Sequence, residues 1–400
     1  MSAGDAASGP PGPKIALALS GGGSRAMAFH LGCLRALDRA GLLSRIVVIS
    51  SVSGGSVLAA LYCSHPGDFA AFETKVREVL AEGFARPALR VALTTPEGLK
   101  ALAIAVPMAA DRLAASALRL PLKLTRLPLG RGSGGWLRES PLRRLASRTT
   151  ILRRTFSDLF GGRTLPELRS DRPKLIVVAC ELQTKSAFYF AADGVGSWHY
   201  GSADPSGTEI AHAVAASASY PAFLPALDEY MIFEKGGVAT RRRVILTDGG
   251  VYDNLGLAPL WPGRDPRISL HVGAYDRIVA CRAGYGLGAS LPGAFWPSRM
   301  IAVTESIHAR AENLAVARLF DLKASGAIEE FLLPYLGQND ARLGCPPLDL
   351  VSREEAAGYP TDFSAMPAEW IDRLSRRGEQ LTRALIAEYW PEMAHNERTD

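Results

Sequence analysis

The segment IVVISSVSGGSVLAA, residues 46–60, decides how the rest of this chain is interpreted. An apolar, β-branched run leads into a turn of small residues, and a helical pattern follows with no loop between them. This order predicts a strand, a sharp turn and a helix, with Ser53 held in the turn. It corresponds to a nucleophile elbow in which the usual G-x-S-x-G motif reads SVSGG over residues 51–55. A serine held in this way needs a base and an oxyanion site elsewhere in the chain.

A candidate oxyanion site lies upstream, where the apolar strand pattern 14–19 leads towards Gly21, Gly22 and Gly23. A helical pattern begins directly after these glycines. Glycines let the backbone approach a ligand closely, and their N–H groups near a helix N-terminus favour a developing negative charge. Arg25 adds a fixed positive charge. The segment therefore predicts an anion-stabilising loop.

The candidate base is Asp248, which follows the short apolar strand pattern 243–247 and precedes two glycines. Taken alone, an Asp in this position is more often a turn former than a functional carboxylate. Together with the serine turn and the glycine loop, it becomes a strong candidate for the base. Asp253 and Asn254 follow closely; they either hold the Asp248 carboxylate in place or form a local Asx turn, and both interpretations can hold together.

These motifs, taken in order, resemble the patatin-like phospholipases. The sequence carries GGGSR at 21–25, the serine elbow, ASASYP at 216–221, and DGG at 248–250 continued by VYDN at 251–254. The resemblance covers approximately residues 14–260. It implies an α/β protein with a patatin-like three-layer fold, a central and largely parallel sheet, and a basic helical insertion.

The same resemblance implies hydrolysis of lipid acyl esters by a Ser–Asp dyad without a catalytic histidine. Ser53 would be the nucleophile and Asp248 the base, and the substrate would be a lipid. The implied oxyanion donors are the N–H groups of Gly21, Gly22, Gly23 and Gly54, and the supporting residues are Arg25, Asp253 and Asn254. The sequence departs from the commonest family pattern at Ser51 and Ala26, which both stand where glycine is frequent.

Three alternatives remain at this point. Ser53, Asp248 and His308 follow the chain order of an α/β-hydrolase triad, although His308 falls within a helical pattern. The glycine loop also matches the G-x-G-x-x-A fingerprint of dinucleotide-binding proteins, but Ile49 leads into serines instead of the acidic residue that binds the ribose. The third alternative is a lipid-binding protein that keeps the fold without turnover.

Composition favours an ordinary globular protein, with 48% hydrophobic and 21% charged residues. The five cysteines are scattered, and their spacing indicates neither a zinc motif nor a disulfide framework, so no metal or other cofactor is expected. Residues 1–13 are interpreted as a disordered tail because they lack the basic start and apolar run of a signal peptide. These features favour a cytoplasmic protein, and they leave the oligomeric state open.

Strand-like runs alternate with helical patterns along the chain, which favours an α/β layer. The strand patterns fall at 14–19, 46–50, 174–180, 243–247 and 268–274, and helical patterns at 209–219, 298–320 and 367–389. The expected organisation is a catalytic domain over 14–335 with a helical extension, 336–400, packed on it. The apolar stretch 220–225 is assigned to the core by default, and lining of an acyl channel is the alternative.

Residues 86–154 hold fourteen basic and three acidic residues, a net charge of +11 that exceeds the +5 of the whole chain. Apolar residues are interspersed among these charges. Such a segment, part of an insertion spanning 86–170, fits either a cap that contacts anionic membrane lipid or a solvated helical face. Peripheral membrane contact is the expected interaction, and nucleic-acid binding is not expected.

Overall fold

A ten-stranded mixed sheet forms the centre of the protein, and helices cover both of its faces. The computed structural model describes residues 12–104, 146–221, 223–264, 272–285, 293 and 295–394. Strands β1 to β10 span Ile15–Leu19, Ile46–Val52, Lys174–Glu181, Ser186–Ala191, Gly194–Ser197, Gly201–Ala203, Leu227–Lys235, Val238–Asp248, Arg277–Cys281 and Glu330–Leu332. Helices with both ends described, α1 to α11, span Gly23–Arg39, Gly54–Ser64, Phe69–Glu82, Ala85–Thr94, Arg148–Phe160, Ile210–Ser217, Gly250–Asp253, Trp296–Ala324, Arg353–Ala356, Ala368–Tyr389 and Pro391–Ala394.

The sheet divides into a parallel and an antiparallel half. Strands β10, β9, β1, β2 and β3 are parallel neighbours in that order, whereas β3 to β8 pair antiparallel. The sheet is therefore mixed, and less parallel than the sequence predicts. The prediction of a strand at 268–274 is wrong for residues 272–274, which the structure describes. Gly273 adopts a positive φ of 83°, and the strand begins at Arg277 instead. Residues 268–271 lie outside the described ranges.

Alternation along β1 accounts for the layers. Ile15, Leu17 and Leu19 face one apolar cluster, which includes residues of α1, α2 and α10, while Ala16 and Ala18 face a second cluster, which includes Leu319 of α8. All five β1 residues are fully buried. A strand buried on both faces reads as a continuous apolar run, and this is why the sequence pattern marks β1 so clearly.

The strand register brings the ends of β2 and β8 together. β2 runs parallel along one edge of β3 and ends there with Val52 opposite Val178. β4 occupies the other edge of β3, so β8 joins the same edge as β2 from the opposite direction and ends with Asp248 opposite Ala179. Ser53 follows Val52 directly. The name β2–β8 junction is used below for Ser53, Asp248 and their buried neighbour Ser217.

The C-terminal helix α10 packs closely on α1. A Cβ at Gly32 would lie 1.7 Å from the Ser375 carbonyl oxygen, and one at Gly378 would lie 2.1 Å from the Phe29 carbonyl oxygen, so the two helix backbones touch. Arg377 is fully buried and donates hydrogen bonds to three backbone carbonyls and to Asp340 Oδ1. The C-terminal segment is thus joined to the same core as the sheet.

The other helical predictions lie close to the observed helices α6, α8 and α10. Among the described residues, no helix is long and apolar enough to cross a membrane. Residues 105–145 of the basic insertion and residues 1–11 of the predicted tail lie outside the described residues.

Candidate active site

Ser53 occupies a strained turn between β2 and α2. Its φ of 52° and ψ of −121° fall where a residue with a side chain is uncommon, and Ser53 and Lys185 are the two such non-glycine residues in the described chain. The turn places Ser53 at the N-cap of α2, and the residue is only 7% exposed. Strain at a buried serine next to a helix N-terminus is the geometry that the sequence pattern predicts for a nucleophile elbow.

Asp248 is nearly fully buried at the end of β8. Its Oδ1 accepts a hydrogen bond of 2.7 Å from the Gly250 N–H, and the Ser53 side chain also interacts with the carboxylate as a hydrogen-bond donor. Burial raises the pKa of Asp248 from 3.8 to about 7, although these two hydrogen bonds act to lower it. The structure therefore brings together the serine and the carboxylate that the sequence selects.

Ser217 joins the elements that carry these two residues. Its hydroxyl accepts a 2.9 Å hydrogen bond from the Ser53 N–H, donates to the Val178 carbonyl at 2.6 Å, and lies 3.0 Å from the Ser56 hydroxyl. Its carbonyl accepts from the Gly249 N–H at 3.2 Å, so the same residue also holds the loop after Asp248. No role was assigned to Ser217 from the sequence. A serine at the end of the alanine-rich and mostly buried helix α6 is the signal that could have identified it.

The glycine loop packs directly against the serine turn. A Cβ on Gly54 would lie 2.1 Å from the Gly23 carbonyl oxygen, and one on Gly21 would lie 3.3 Å from the Ser53 Cβ. The Gly21 N–H donates to the Asn254 carbonyl at 3.0 Å and is already engaged. Across the described chain, the N–H groups of Gly22, Gly23 and Gly54 have no hydrogen-bond acceptor. Three of the four predicted oxyanion donors are thus free beside Ser53.

Arg25 holds the glycine loop through contacts with the segment that follows β9. Its Nε donates to the Ala283 carbonyl at 3.0 Å, and its guanidinium lies 4.5 Å from the centre of the Tyr285 ring. Burial lowers the pKa of Arg25, and the neighbouring Tyr285 opposes this effect. The C-terminal segment also contributes, because the Asp362 carbonyl accepts the Ser24 N–H at 2.9 Å. These contacts with residues beyond the glycine loop hold the loop in place.

Asp253 and Asn254 hold the loop that follows Asp248. Asp253 Oδ2 accepts the Ala258 N–H at 2.6 Å, as in a local turn, and burial raises the pKa of this carboxyl to about 6. Asn254 donates its side-chain amide to Glu312 Oε1 at 2.7 Å while its carbonyl accepts the Gly21 N–H. Neither residue hydrogen-bonds to the Asp248 carboxylate. Their contacts link α8, this loop and the glycine loop.

The apolar stretch that follows Ser219 lies partly at the surface. Tyr220 and Phe223 are 41% and 60% exposed, and their ring centres lie 6.0 Å apart. The default assignment of this stretch to the core is therefore wrong for these two residues. Burial raises the pKa of Tyr220, and the charges of Asp248 and of Glu305 on α8 act in the same direction. Tyr220 is therefore close enough to both Asp248 and Glu305 for their charges to raise its pKa.

Helix α8 turns an apolar face away from the protein. Successive residues of a helix are rotated by about 100°, so residues spaced by three and four share a face. Glu305, Glu312 and Leu319 lie on the side towards the sheet, where Glu312 bonds to Asn254 and Leu319 is fully buried. The opposite side, called the outward face of α8 below, carries exposed apolar residues: Trp296, Met300, Val303, Ile307 and Leu314.

His308 on α8 and His30 on α1 differ in their surroundings. His308 lies on α8, and no hydrogen bond of the described chain joins it to Ser53 or Asp248. His30 is fully buried on α1, with Nε2 lying 3.0 Å from the Ser20 carbonyl oxygen. The geometry therefore does not support either histidine as the third member of a Ser–Asp–His triad.

Comparison with solved structures gives the fold class. A human group IVD cytosolic phospholipase A2 is 14% identical and superposes with a TM-score of 0.53, with 96% of this chain and 60% of that chain covered. The chain thus spans about 60% of the length of that enzyme. VipD from Legionella pneumophila is 15% identical, with 95% of this chain and 68% of that chain covered and a TM-score of 0.39. No curated protein sequence matches the chain.

The sequence profile described as Patatin-like phospholipase matches residues 17–261, which is more than half of the chain. The match spans the glycine loop, Ser53 and Asp248. The chain therefore belongs to the patatin-like phospholipase family. The family and the patatin fold predicted from the sequence are confirmed.

Proposed function

We propose that this protein is a serine hydrolase of lipid acyl esters, with Ser53 as the nucleophile and Asp248 as its base. The observation that carries the proposal is the β2–β8 junction itself. A serine in a strained turn interacts there with a buried carboxylate whose pKa is raised to about 7, beside backbone N–H groups that lack acceptors. Membership of the patatin-like phospholipases supports a lipid as the substrate.

In the proposed mechanism, Asp248 takes the proton of the Ser53 hydroxyl while the serine oxygen attacks the ester carbonyl. Negative charge develops on the carbonyl oxygen, and the free N–H groups of Gly22, Gly23 and Gly54 are suited to stabilise it at the N-terminus of α2. Collapse of this intermediate transfers the proton from Asp248 to the leaving alcohol, which departs and leaves an acyl-Ser53 ester with Asp248 ionised again. Asp248 then deprotonates a water molecule, which releases the fatty acid and regenerates the serine.

The raised pKa of Asp248 suits this role. A general base works best when its pKa lies close to the working pH, because it then accepts a proton readily and is still largely ionised. An ordinary Asp, with a pKa near 3.8, would be a weak proton acceptor at neutral pH. Burial of Asp248 is therefore the physical cause of its suitability as a base without a histidine.

The competing functions have less support. The triad would need His308 beside Asp248, and no contact joins the two. A dinucleotide site would need an acidic residue at the end of β2, where Val52 and Ser53 stand.

We also propose that the protein docks on a lipid surface through the outward face of α8. Its five apolar residues are between 44% and 74% exposed, and Phe295 next to them is 78% exposed. An exposed apolar face on a helix that is held to the protein through Glu312 and Leu319 favours an interface with lipid. Tyr220 and Phe223 lie close to the same helix, so the apolar surface extends towards the β2–β8 junction. The basic insertion would add attraction to anionic headgroups.

Labelling with a fluorophosphonate tests the proposed nucleophile. The wild-type protein should gain one covalent adduct at Ser53, located by peptide mass spectrometry, and should hydrolyse phospholipids, glycerides or nitrophenyl esters in a substrate panel. Ser53→Ala should remain folded by circular dichroism and lose both labelling and at least about a thousandfold in hydrolysis, as expected for loss of a nucleophile. A folded wild-type protein that is neither labelled nor active on any ester would leave lipid binding without turnover as the function.

A further inference from the structure

Three potential metal ligands meet in the core behind the glycine loop. His30 and Cys33 lie on α1, and Cys281 is the last residue of β9. Their ligand atoms all lie within 4.8 Å of one another, and the three residues are 0–1% exposed. The mechanism proposed above uses none of them.

His30 is held in the tautomer that a metal ligand requires. Its Nε2 lies 3.0 Å from the Ser20 carbonyl oxygen, which accepts hydrogen bonds but cannot donate, so this nitrogen carries the proton. The Nδ1 atom then presents a lone pair, and it is buried without a hydrogen-bond partner. A buried polar atom without a partner destabilises the fold, and a bound ion would satisfy it. Metal-binding histidines typically donate their second ring N–H to a carbonyl or carboxylate, as His30 does.

The two thiols complete a soft donor set. Cys33 makes a weak hydrogen bond of 3.7 Å to the Gly378 carbonyl, and Cys281 lies beside it on β9. Thiolate and imidazole together select copper(I) or zinc over calcium and magnesium. Structural zinc sites have four ligands, whereas the described residues supply three here. Three donors in a dry pocket suit copper(I) better.

We propose that His30 Nδ1, Cys33 Sγ and Cys281 Sγ bind one thiophilic metal ion, with copper(I) favoured over zinc. Binding would replace the two thiol protons by the ion, with no change in the oxidation state of sulfur. The proposal does not depend on the proposed hydrolase activity.

The position of the site indicates a structural role. The Ser20 N–H donates to the Cys281 carbonyl at 3.1 Å, and the Ser20 carbonyl accepts from His30. Ser20 directly precedes Gly21, where the glycine loop begins. An ion at this site would therefore join α1, β9 and the end of β1, and it would stabilise the loop from behind.

Metal content of the purified protein tests this proposal directly. The reduced protein is loaded anaerobically with copper(I), and in a separate arm with zinc, then desalted and measured by inductively coupled plasma mass spectrometry. About one copper ion should remain per chain, and X-ray absorption should show sulfur and nitrogen ligands. Retention of zinc in preference to copper would instead indicate a fourth ligand, because structural zinc sites have four. It would overturn the proposed three-donor site.

Matched variants locate the ion. Cys33→Ser and Cys281→Ser should each retain less than about a tenth of the wild-type metal, since each removes a thiolate ligand. Cys63→Ser is the control: Cys63 is also buried but donates to the Pro173 carbonyl, away from the cluster, and its metal content should be unchanged. If the cluster variants fail to fold, native mass spectrometry of the wild-type protein still decides. Absence of bound metal, or a mass two hydrogens lower from a Cys33–Cys281 disulfide, would overturn the proposal.

Discussion

The β2–β8 junction and the outward face of α8 lie on neighbouring elements, yet they distribute polar and apolar groups in opposite ways. At the junction, Ser53, Ser217 and Asp248 are polar and nearly fully buried. On the outward face of α8, large apolar side chains are exposed. Burial of polar groups and exposure of apolar groups both cost free energy, so both arrangements point to function.

The junction tolerates its buried polar groups because most of them are paired. The Ser217 hydroxyl satisfies the Ser53 N–H and the Val178 carbonyl, and Asp248 accepts from Gly250. In the described chain, the neighbouring N–H groups of Gly22, Gly23 and Gly54 have no acceptor, and these are the groups proposed to receive the substrate oxygen. Among the described residues, none covers the exposed apolar side chains on the outward face of α8. A lipid surface would cover them. Under these proposals, catalysis takes place in the interior and docking takes place at the surface.

The largest expected effect comes from removing the base. Asp248→Asn should lower kcat/KM by at least about a thousandfold, because an amide cannot accept the Ser53 proton at neutral pH. His308→Gln, measured in parallel on the same soluble ester, should stay within about threefold of wild type. If His308→Gln folds but loses most of its kcat/KM, His308 acts as the third member of a triad. Ser53 and Asp248 would then not be the complete catalytic set.

The pH dependence is the next largest effect. With a pKa of about 7, Asp248 becomes protonated at lower pH, so kcat/KM should fall by about tenfold per pH unit below 7. Because this pKa is raised from 3.8, the folded protein holds a proton between about pH 4 and 7 that the unfolded chain releases. The Asp248 contribution to stability therefore decreases as the pH rises through this range. A fall in kcat/KM at acid pH without a fall in Tm would support protonation of Asp248 as the cause. A rate that does not depend on pH would contradict it.

Removing the Ser217 hydroxyl tests the rigidity of the junction. Ser217→Ala would leave the Ser53 N–H and the Val178 carbonyl unpaired, at a cost of about 1–3 kcal/mol, and should lower kcat by about tenfold to thirtyfold with little change in KM. Ser219→Ala is the matched control, because this equally buried serine donates to the Ala216 carbonyl and does not touch Ser53. Equal losses in the two variants would reduce Ser217 to a packing role.

The outward face of α8 should give the smallest and most selective effect. Ile307→Glu places a charge on the proposed lipid contact and should lower hydrolysis of vesicle lipid by about fivefold to tenfold while sparing a soluble ester. Ser306→Glu adds the same charge at the neighbouring exposed position, which is rotated by about 100° from Ile307 to the edge of the apolar face, and should have a smaller effect on vesicle lipid and none on the soluble ester. Vesicle co-sedimentation provides the direct measurement. Unchanged binding by Ile307→Glu would show that this face serves another contact.

Local sequence determined the elements that carry the proposed chemistry. The β-branched run before Ser53, the glycines at 21–23 and the apolar run before Asp248 each encode a strand end followed by a tight turn. Backbone restrictions on such turns act over a few residues, so these segments can be interpreted without knowing their neighbours. The strand expected at 268–274 failed for a related reason: Gly273 bends the chain, and the apolar run 277–281 forms the strand instead.

Only the tertiary structure decided which groups meet and which face water. Ser217 acquires its role because α6 places it against β3 and the serine turn, and the Gly21 N–H is taken by Asn254 because two distant loops adjoin. Cys281 lies beside His30 and Cys33 because β9 pairs with β1. Each of these contacts joins residues far apart in the chain. Strand order and helix packing fix them, and no short stretch of sequence encodes either.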